Sequence, residues 1–138
     1  MPTGSTHEIQ LTIPFCDLDP MQVVWHGNYL RYFDMARFAL FQAGGIDLYQ
    51  YSLKHNHIFP VTRTSVKYII PLTHNETILC RATALDAAIK IVLAFEIRRR
   101  SDGALCASAQ ADQVAVKLPE RETLYEIPED VRAALGLP

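Results

Sequence analysis

Asp17-Leu18-Asp19-Pro20-Met21-Gln22-Val23-Val24-Trp25-His26-Gly27-Asn28-Tyr29 runs without a break into Leu30-Arg31-Tyr32-Phe33-Asp34-Met35-Ala36-Arg37-Phe38-Ala39-Leu40-Phe41-Gln42-Ala43-Gly44-Gly45. Two carboxylates, a proline turn and the most hydrophobic run of the chain fall together here. Tyr29, Tyr32, Phe33, Ala36, Leu40 and Ala43 recur at the i, i+3, i+4, i+7 spacing of one helical face. Leu30, Met35, Phe38, Ala39 and Phe41 fill most of the remaining circumference, leaving polar groups at Arg31, Asp34, Arg37 and Gln42. A helix that is apolar nearly all round is a buried one. Asn28 is placed to cap its start, and Gly44-Gly45 to supply a left-handed stop. The run is shorter than the roughly twenty apolar residues a bilayer span requires.

Working outward, the 138-residue chain fits one domain, residues 1–138, and a chain of this size buries about two thirds of its unfolded surface. A net charge of -2 supplies no basic field for nucleic acid. Cys16, Cys80 and Cys106 are odd in number, far apart and without C-x-x-C spacing, which fits a reducing compartment. Met1-Pro2-Thr3-Gly4-Ser5-Thr6-His7 carries neither a basic nor an apolar segment of the kind an export signal needs, so a cytoplasmic protein is expected.

Upstream of the helix, residues 8 to 15 alternate, with Ile9, Leu11, Ile13 and Phe15 on one face, and predict a strand that ends near Pro14. Downstream, residues 46 to 57 suit a short helix or irregular turn. Val61 to Pro71, Glu76 to Leu85, Lys90 to Arg100 and Ala104 to Leu118 read as four strands. The last two are joined by the Ser101-Asp102-Gly103 turn of a hairpin. Ala107, Ala109 and Ala111 leave one face of the final strand small, so that the long helix can lie close against it. Glu120 to Tyr125 reads as a polar linker and Pro128 to Leu135 as a short terminal helix. One strand, one buried helix and four strands joined by short turns make an α+β fold with an antiparallel sheet. A single sheet covers such a helix on part of its circumference only, so a second copy is expected to cover the rest.

The pattern Asp17-x-Asp19-Pro20-x-x-Val23-Val24-x-His26-x-Asn28-Tyr29-x-x-Tyr32-x-Asp34-x-Ala36-Arg37 resembles the 4-hydroxybenzoyl-CoA thioesterase family of hot-dog proteins, which includes bacterial acyl-CoA thioesterases that accompany the Tol-Pal system. The resemblance implies a curved antiparallel sheet wrapped around one long buried helix. It also implies hydrolysis of an acyl or aroyl thioester of coenzyme A or acyl carrier protein, as in lipid metabolism. Asp19 matches the family's catalytic carboxylate, as nucleophile or general base, and the backbone N–H of His26 the group that polarises the thioester carbonyl. Coenzyme A enters as part of the substrate, with no metal or further cofactor. The site is expected at a subunit interface of a dimer or of a dimer of dimers, a homotetramer. The chain departs from many relatives at Met21-Gln22, where they carry glycine, and the departure bears on the outline of the acyl pocket.

The chemistry agrees with that expectation. Thioester hydrolysis needs an attacking or water-activating group and donors for the developing oxyanion, and a helix N-terminus favours both a carboxylate and an oxyanion beside it. Plainer roles stand beside each residue. Asp17 and Asp19 before a proline suit Asx-turns, with Asp17 orienting the loop. The His26 ring either touches substrate or packs at the helix start. Tyr29 is placed to line the substrate site. Asp34 either reaches the acyl chamber of a neighbouring subunit or joins Arg31 and Arg37 in i, i+3 ion pairs. Thr62, Arg63 and Thr64 border the active site in relatives, or form an ordinary exposed strand face. Lys90 and Arg98-Arg99-Arg100 suit coenzyme A phosphates, or a solvated hairpin end. His55-x-His57 and His74 lack acidic or thiol ligands at zinc spacing. Two other classes share the residues: a hot-dog hydratase or dehydratase using His26 beside Asp19, and a non-catalytic acyl-thioester binding module.

Overall fold

The computed structural model describes residues 3–138; Met1 and Pro2, the start of the segment read for an export signal, lie outside them. In chain order the elements are β1 (Thr6–Thr12), a 3-10 turn (Phe15–Asp17), α1 (Asn28–Ala43), α2 (Leu48–His55), β2 (His57–Ile58), β3 (Val61–Tyr68), β4 (Thr77–Asp86), β5 (Ile91–Arg99), β6 (Leu105–Gln113), β7 (Val116–Lys117), β8 (Glu122–Thr123) and α3 (Glu129–Ala134). Five strands form one antiparallel sheet in the order β1-β4-β5-β6-β3. β2, β7 and β8 form a small second sheet. No helix among the described residues is long and apolar enough to cross a membrane.

The helical spacing and the strand alternation meet in the core. Tyr29, Tyr32, Phe33, Ala36, Leu40 and Phe41 are the buried apolar residues of α1, and on β5 Ile91, Leu93, Phe95 and Ile97 are at most 1% exposed. The Phe33 and Phe95 rings lie 5.1 Å apart. The Cys80 thiol of β4 reaches the Tyr32 carbonyl at 3.8 Å, which fixes how closely the helix lies on the sheet. Gly45, at φ 91°, supplies the left-handed stop after α1. In the β5–β6 hairpin Gly103 takes φ 73°, and Asp102 pairs with Arg99 at 2.7 Å. That pairing, with the Ala104 amide, holds the Asp102 carboxyl down at about 2.

Several expectations change. The first strand stops at Thr12, and Phe15, expected on one strand face with Ile9, Leu11 and Ile13, lies beyond the strand and is 75% exposed, because Pro14 precedes the 3-10 turn and redirects the chain. Asn28 is the first helical residue and not the cap; Gly27 occupies that position, and the Asn28 side chain donates instead to the Asp17 carbonyl at 3.0 Å. β3 ends at Tyr68 because the amides of Ile69 and Ile70 both converge on the Cys106 carbonyl, at 2.9 and 3.0 Å, and the chain leaves the ladder. The last strand breaks after Gln113, and residues 116–117 pair with β2 and with β8, inside the expected linker. The helix packs mainly along β1 and β4, not on the small-residue face of β6. Finally, α1 is buried on one side only: Leu30, Met35 and Phe38 are exposed.

Candidate active site

The loop before α1 is tied down by its first carboxylate. Asp17, 4% exposed, accepts from the Tyr32 hydroxyl at 2.6 Å and from the Arg31 guanidinium at 2.5 Å. Its carbonyl accepts from the Trp25 amide at 3.0 Å. Burial alone would raise the Asp17 carboxyl, but donation from Tyr32 and Arg31 outweighs it and holds the group below the usual carboxylate value. Burial and the bond to Asp17 push the Tyr32 hydroxyl far up. Asp17 therefore anchors the loop to α1 and takes Arg31 out of the expected helical ion-pair set. Only Asp34 and Arg37 pair along the helix.

Two residues on, the second carboxylate sits on a hairpin tip. Leu18 and Val24 form an antiparallel bridge, the Asp19 amide donates to Val23 O at 2.9 Å and the Gln22 amide to Asp19 O at 2.9 Å. Pro20-Met21-Gln22 is thus a three-residue hairpin loop whose last residue is left-handed, with Gln22 at φ 65°. That is the conformation glycine adopts freely, so the loop keeps a glycine-like path while carrying a side chain. Asp19 Oδ1 accepts from the Met21 amide at 2.8 Å, the Asx-turn that the sequence allowed. Its other oxygen has no protein donor among the described residues.

The chain then makes one more turn before the helix. The Val24 amide donates to Leu72 O at 2.8 Å, and the Asn28 amide to Trp25 O at 2.9 Å. The Tyr68 hydroxyl donates to the His26 carbonyl at 2.9 Å. Among the described residues the His26 N–H has no acceptor. His26 precedes the cap residue Gly27, so its N–H lies just ahead of the positive end of the α1 macrodipole and is a donor available to a ligand. Asp19 and His26 line one cleft of about 220 Å³ with Met21, Val23, Tyr29 and Tyr68, closed by residues 69–71. Tyr29 is 3% exposed; burial raises its hydroxyl, and its ring meets that of Tyr68 edge-on at 4.8 Å.

The other expected residues lie elsewhere in the chain. Thr62, Arg63 and Thr64 are at the opposite end of β3 from Tyr68, roughly 13–20 Å along a strand that rises about 3.3 Å per residue. Within one chain they do not border the cleft. Asp34 is about 9 Å further along α1 than Asn28, at about 1.5 Å per residue, in a separate cleft with Arg37, Phe38, Val61 and Gln113. Lys90 precedes β5 and pairs with Asp112 at 2.8 Å, whereas Arg98 and Arg99 end that strand and pair with Glu96 and Asp102. The length of β5 separates them, so they form no common phosphate cradle. His55 and His57 pack around the Tyr51 ring, and His74 lies against Phe15.

The sequence reading missed Tyr68 and the 69–71 segment. Both lie inside the 61–71 run, whose composition predicts continuous strand, and no periodicity reports where a strand leaves its sheet. An aromatic residue directly before two β-branched residues and Pro71 was the available signal.

A search of curated protein sequences finds no match. The family model described as the thioesterase-like superfamily matches residues 13–135. A 1,4-dihydroxy-2-naphthoyl-CoA thioesterase from Synechocystis superposes with a TM-score of 0.85 at 20% identity, covering 95% of this chain and 96% of that one. For a 4-hydroxybenzoyl-CoA thioesterase from Pseudomonas sp. strain CBS-3 the TM-score is 0.83 at 20% identity, with 94% and 98% covered. A gentisyl-coenzyme A thioesterase gives 0.80 at 19% identity, with 94% and 99% covered. With its motif, its helix-on-sheet architecture and a family match spanning nearly the whole chain, the protein belongs to the thioesterase-like superfamily and has the hot-dog fold.

Proposed function

We propose that this protein hydrolyses an acyl- or aroyl-CoA thioester. The observation that carries the reading is that Asp19 and His26, whose N–H has no acceptor among the described residues, line the same cleft at the start of α1. The thioester carbonyl oxygen sits against the His26 amide, which is fixed before the reaction begins and stabilises the oxyanion as it forms. Asp19 either takes a proton from the water that attacks the carbonyl carbon, or attacks it directly to form a mixed anhydride that water then hydrolyses; in both the C–S bond breaks, the thiolate leaves and takes up the proton that water gives, and the acyl group departs as a carboxylate with Asp19 regenerated. The apolar and aromatic lining suits the acyl or aryl group, and the structural neighbours named above are thioesterases of hydroxylated aroyl-CoAs.

The active assembly is a homo-oligomer. β3 is an edge strand with seven of its eight residues exposed, and a long open edge beside the exposed Leu30, Met35 and Phe38 calls for cover. Pairing of β3 with a second copy about a two-fold axis runs the strands head to tail. It brings the 62–64 end of one copy to the Tyr68 end of the other, so that Thr62, Arg63, Thr64, Asp34 and Lys90 serve the cleft of the neighbouring subunit. Sedimentation of the purified protein tests this: a dimer or tetramer is expected, and a stable monomer at micromolar concentration contradicts it.

The activity is tested by release of free thiol from short, long and aromatic acyl-CoAs and from matching acyl carrier protein thioesters. Turnover of at least one class is expected. Stabilisation by acyl-CoA with no thiol released from any of them would favour a binding module, and hydration of an enoyl-CoA with no thiol released a hydratase.

A further inference from the structure

Backbone bonds hold the turn that carries the His26 amide: the Val24 amide to Leu72 O, the Trp25 amide to Asp17 O, the Asn28 amide to Trp25 O and, at a longer 3.4 Å, the Tyr29 amide to His26 O. One side chain joins them: the Tyr68 hydroxyl donates to the His26 carbonyl at 2.9 Å. Tyr68 is the last residue of β3, in register with Ala107 of the neighbouring strand, so its backbone belongs to the sheet. Its ring is held edge-on by Tyr29 at 4.8 Å and stands edge-on to the His26 imidazole at 6.4 Å. Burial raises the Tyr68 hydroxyl above its ordinary value, so it keeps its proton and its donor role at neutral pH.

Without this bond nothing on the sheet grips the His26 peptide directly. The nearest other supports come from the loop and the helix: the Trp25 amide on Asp17 O at 3.0 Å, one residue upstream, and the long 3.4 Å bond from the Tyr29 amide to the His26 carbonyl. Met21 is exposed and gives little restraint, whereas the Trp25 ring lies over Gly27 and 5.2 Å from the His26 imidazole. A donor that must meet a developing oxyanion loses much of its value when displaced by a fraction of an ångström.

Resting on the thioesterase reading, we propose that Tyr68 is a positioning residue of the reaction: through its hydroxyl it clamps the His26 carbonyl, and with it the His26–Gly27 peptide unit, to the end of β3 and so restrains the adjoining Trp25–His26 unit, which carries the oxyanion donor. The hydroxyl acts on the transition state through His26 and not on substrate affinity. Tyr68→Phe removes only the oxygen and leaves the ring packing on Tyr29.

The test is steady-state kinetics of Tyr68→Phe on an acyl-CoA that wild type hydrolyses, together with backbone amide order parameters of residues 25–28 in both proteins without ligand. The expected result is a kcat lowered about tenfold at a KM within about twofold of wild type, the kinetic sign of an interaction realised in the transition state. The order parameters of residues 26 and 27 fall from the rigid range near 0.85 toward 0.6. An unchanged kcat overturns the inference, as does a raised KM at unchanged kcat, which would make the hydroxyl a substrate contact. Unchanged order parameters overturn it as well. They are read without substrate, so they decide the clamp even if wild type proves to hydrolyse no thioester, an outcome that would sink the thioesterase reading instead.

Discussion

Asp17 and Asp19 are the same residue type two positions apart, and the chain puts them to opposite uses. Asp17, at the end of a 3-10 turn, is buried and receives Tyr32 and Arg31 on its carboxylate and Trp25 and Asn28 on its carbonyl. Asp19, at a hairpin tip, is half-buried, receives one backbone amide on its carboxylate, and lines the cleft that His26 also lines. A carboxylate saturated with donors is an anchor. One held by a single bond and set beside an unpartnered amide is equipped for chemistry. The lesson is that spacing names the pair, while the turn each residue occupies decides which one reacts.

The comparison breaks first at Asp19. Asp19→Asn is expected to lower kcat by about a hundredfold or more, while its thermal midpoint stays within about 2 °C of wild type, since only one exposed loop bond is altered. Thiol release and a melting curve measured on the same sample check both halves. Asp17→Asn should behave in the opposite sense, losing about 2 kcal/mol of stability by chemical denaturation, the scale for hydrogen bonds to a charged group.

The pH dependence sharpens the contrast. The Asp17 carboxyl is held below its usual value when folded, despite burial, by Tyr32 and Arg31. Its contribution is therefore fully present above the unfolded carboxylate value of about 4 and is lost as pH falls through the folded one. Denaturant midpoints measured from pH 6 downward should fall in wild type below about pH 4 and flatten in Asp17→Asn. Parallel curves would show that Asp17 is not the anchor.

A smaller effect is expected at Gln22, whose left-handed backbone carries a side chain at φ 65°. Gln22→Gly should raise stability by about 0.5–1 kcal/mol, the relief of a strained conformation less the added freedom of the unfolded chain. The least effect belongs to the exposed pair of Glu8 and Arg81 at 3.1 Å, where Glu8→Ala should change stability by no more than about 0.5 kcal/mol. Denaturation curves check both.

What could be read in advance follows the same division between pattern and turn. The core face of α1, the alternation on β5 and the Ser101-Asp102-Gly103 hairpin are periodic or local, and they formed as expected. The two-residue strands of the second sheet are too short to show a period. Tyr68 and Lys90 depend on partners 42 and 22 residues away, which no local spacing reports. For the site, the D-x-D motif and its resemblance pointed to Asp19 and His26. That the His26 amide is left without an acceptor is visible only once every neighbouring backbone bond is in place.

The most direct measurement is a crystal structure of Asp19→Asn with an intact acyl-CoA bound. The predicted result is a thioester carbonyl oxygen within about 3 Å of the His26 amide nitrogen, and a carbonyl carbon about 3–3.5 Å from the side chain at position 19. A thioester bound in any other cleft, or with its carbonyl turned away from His26, would contradict it.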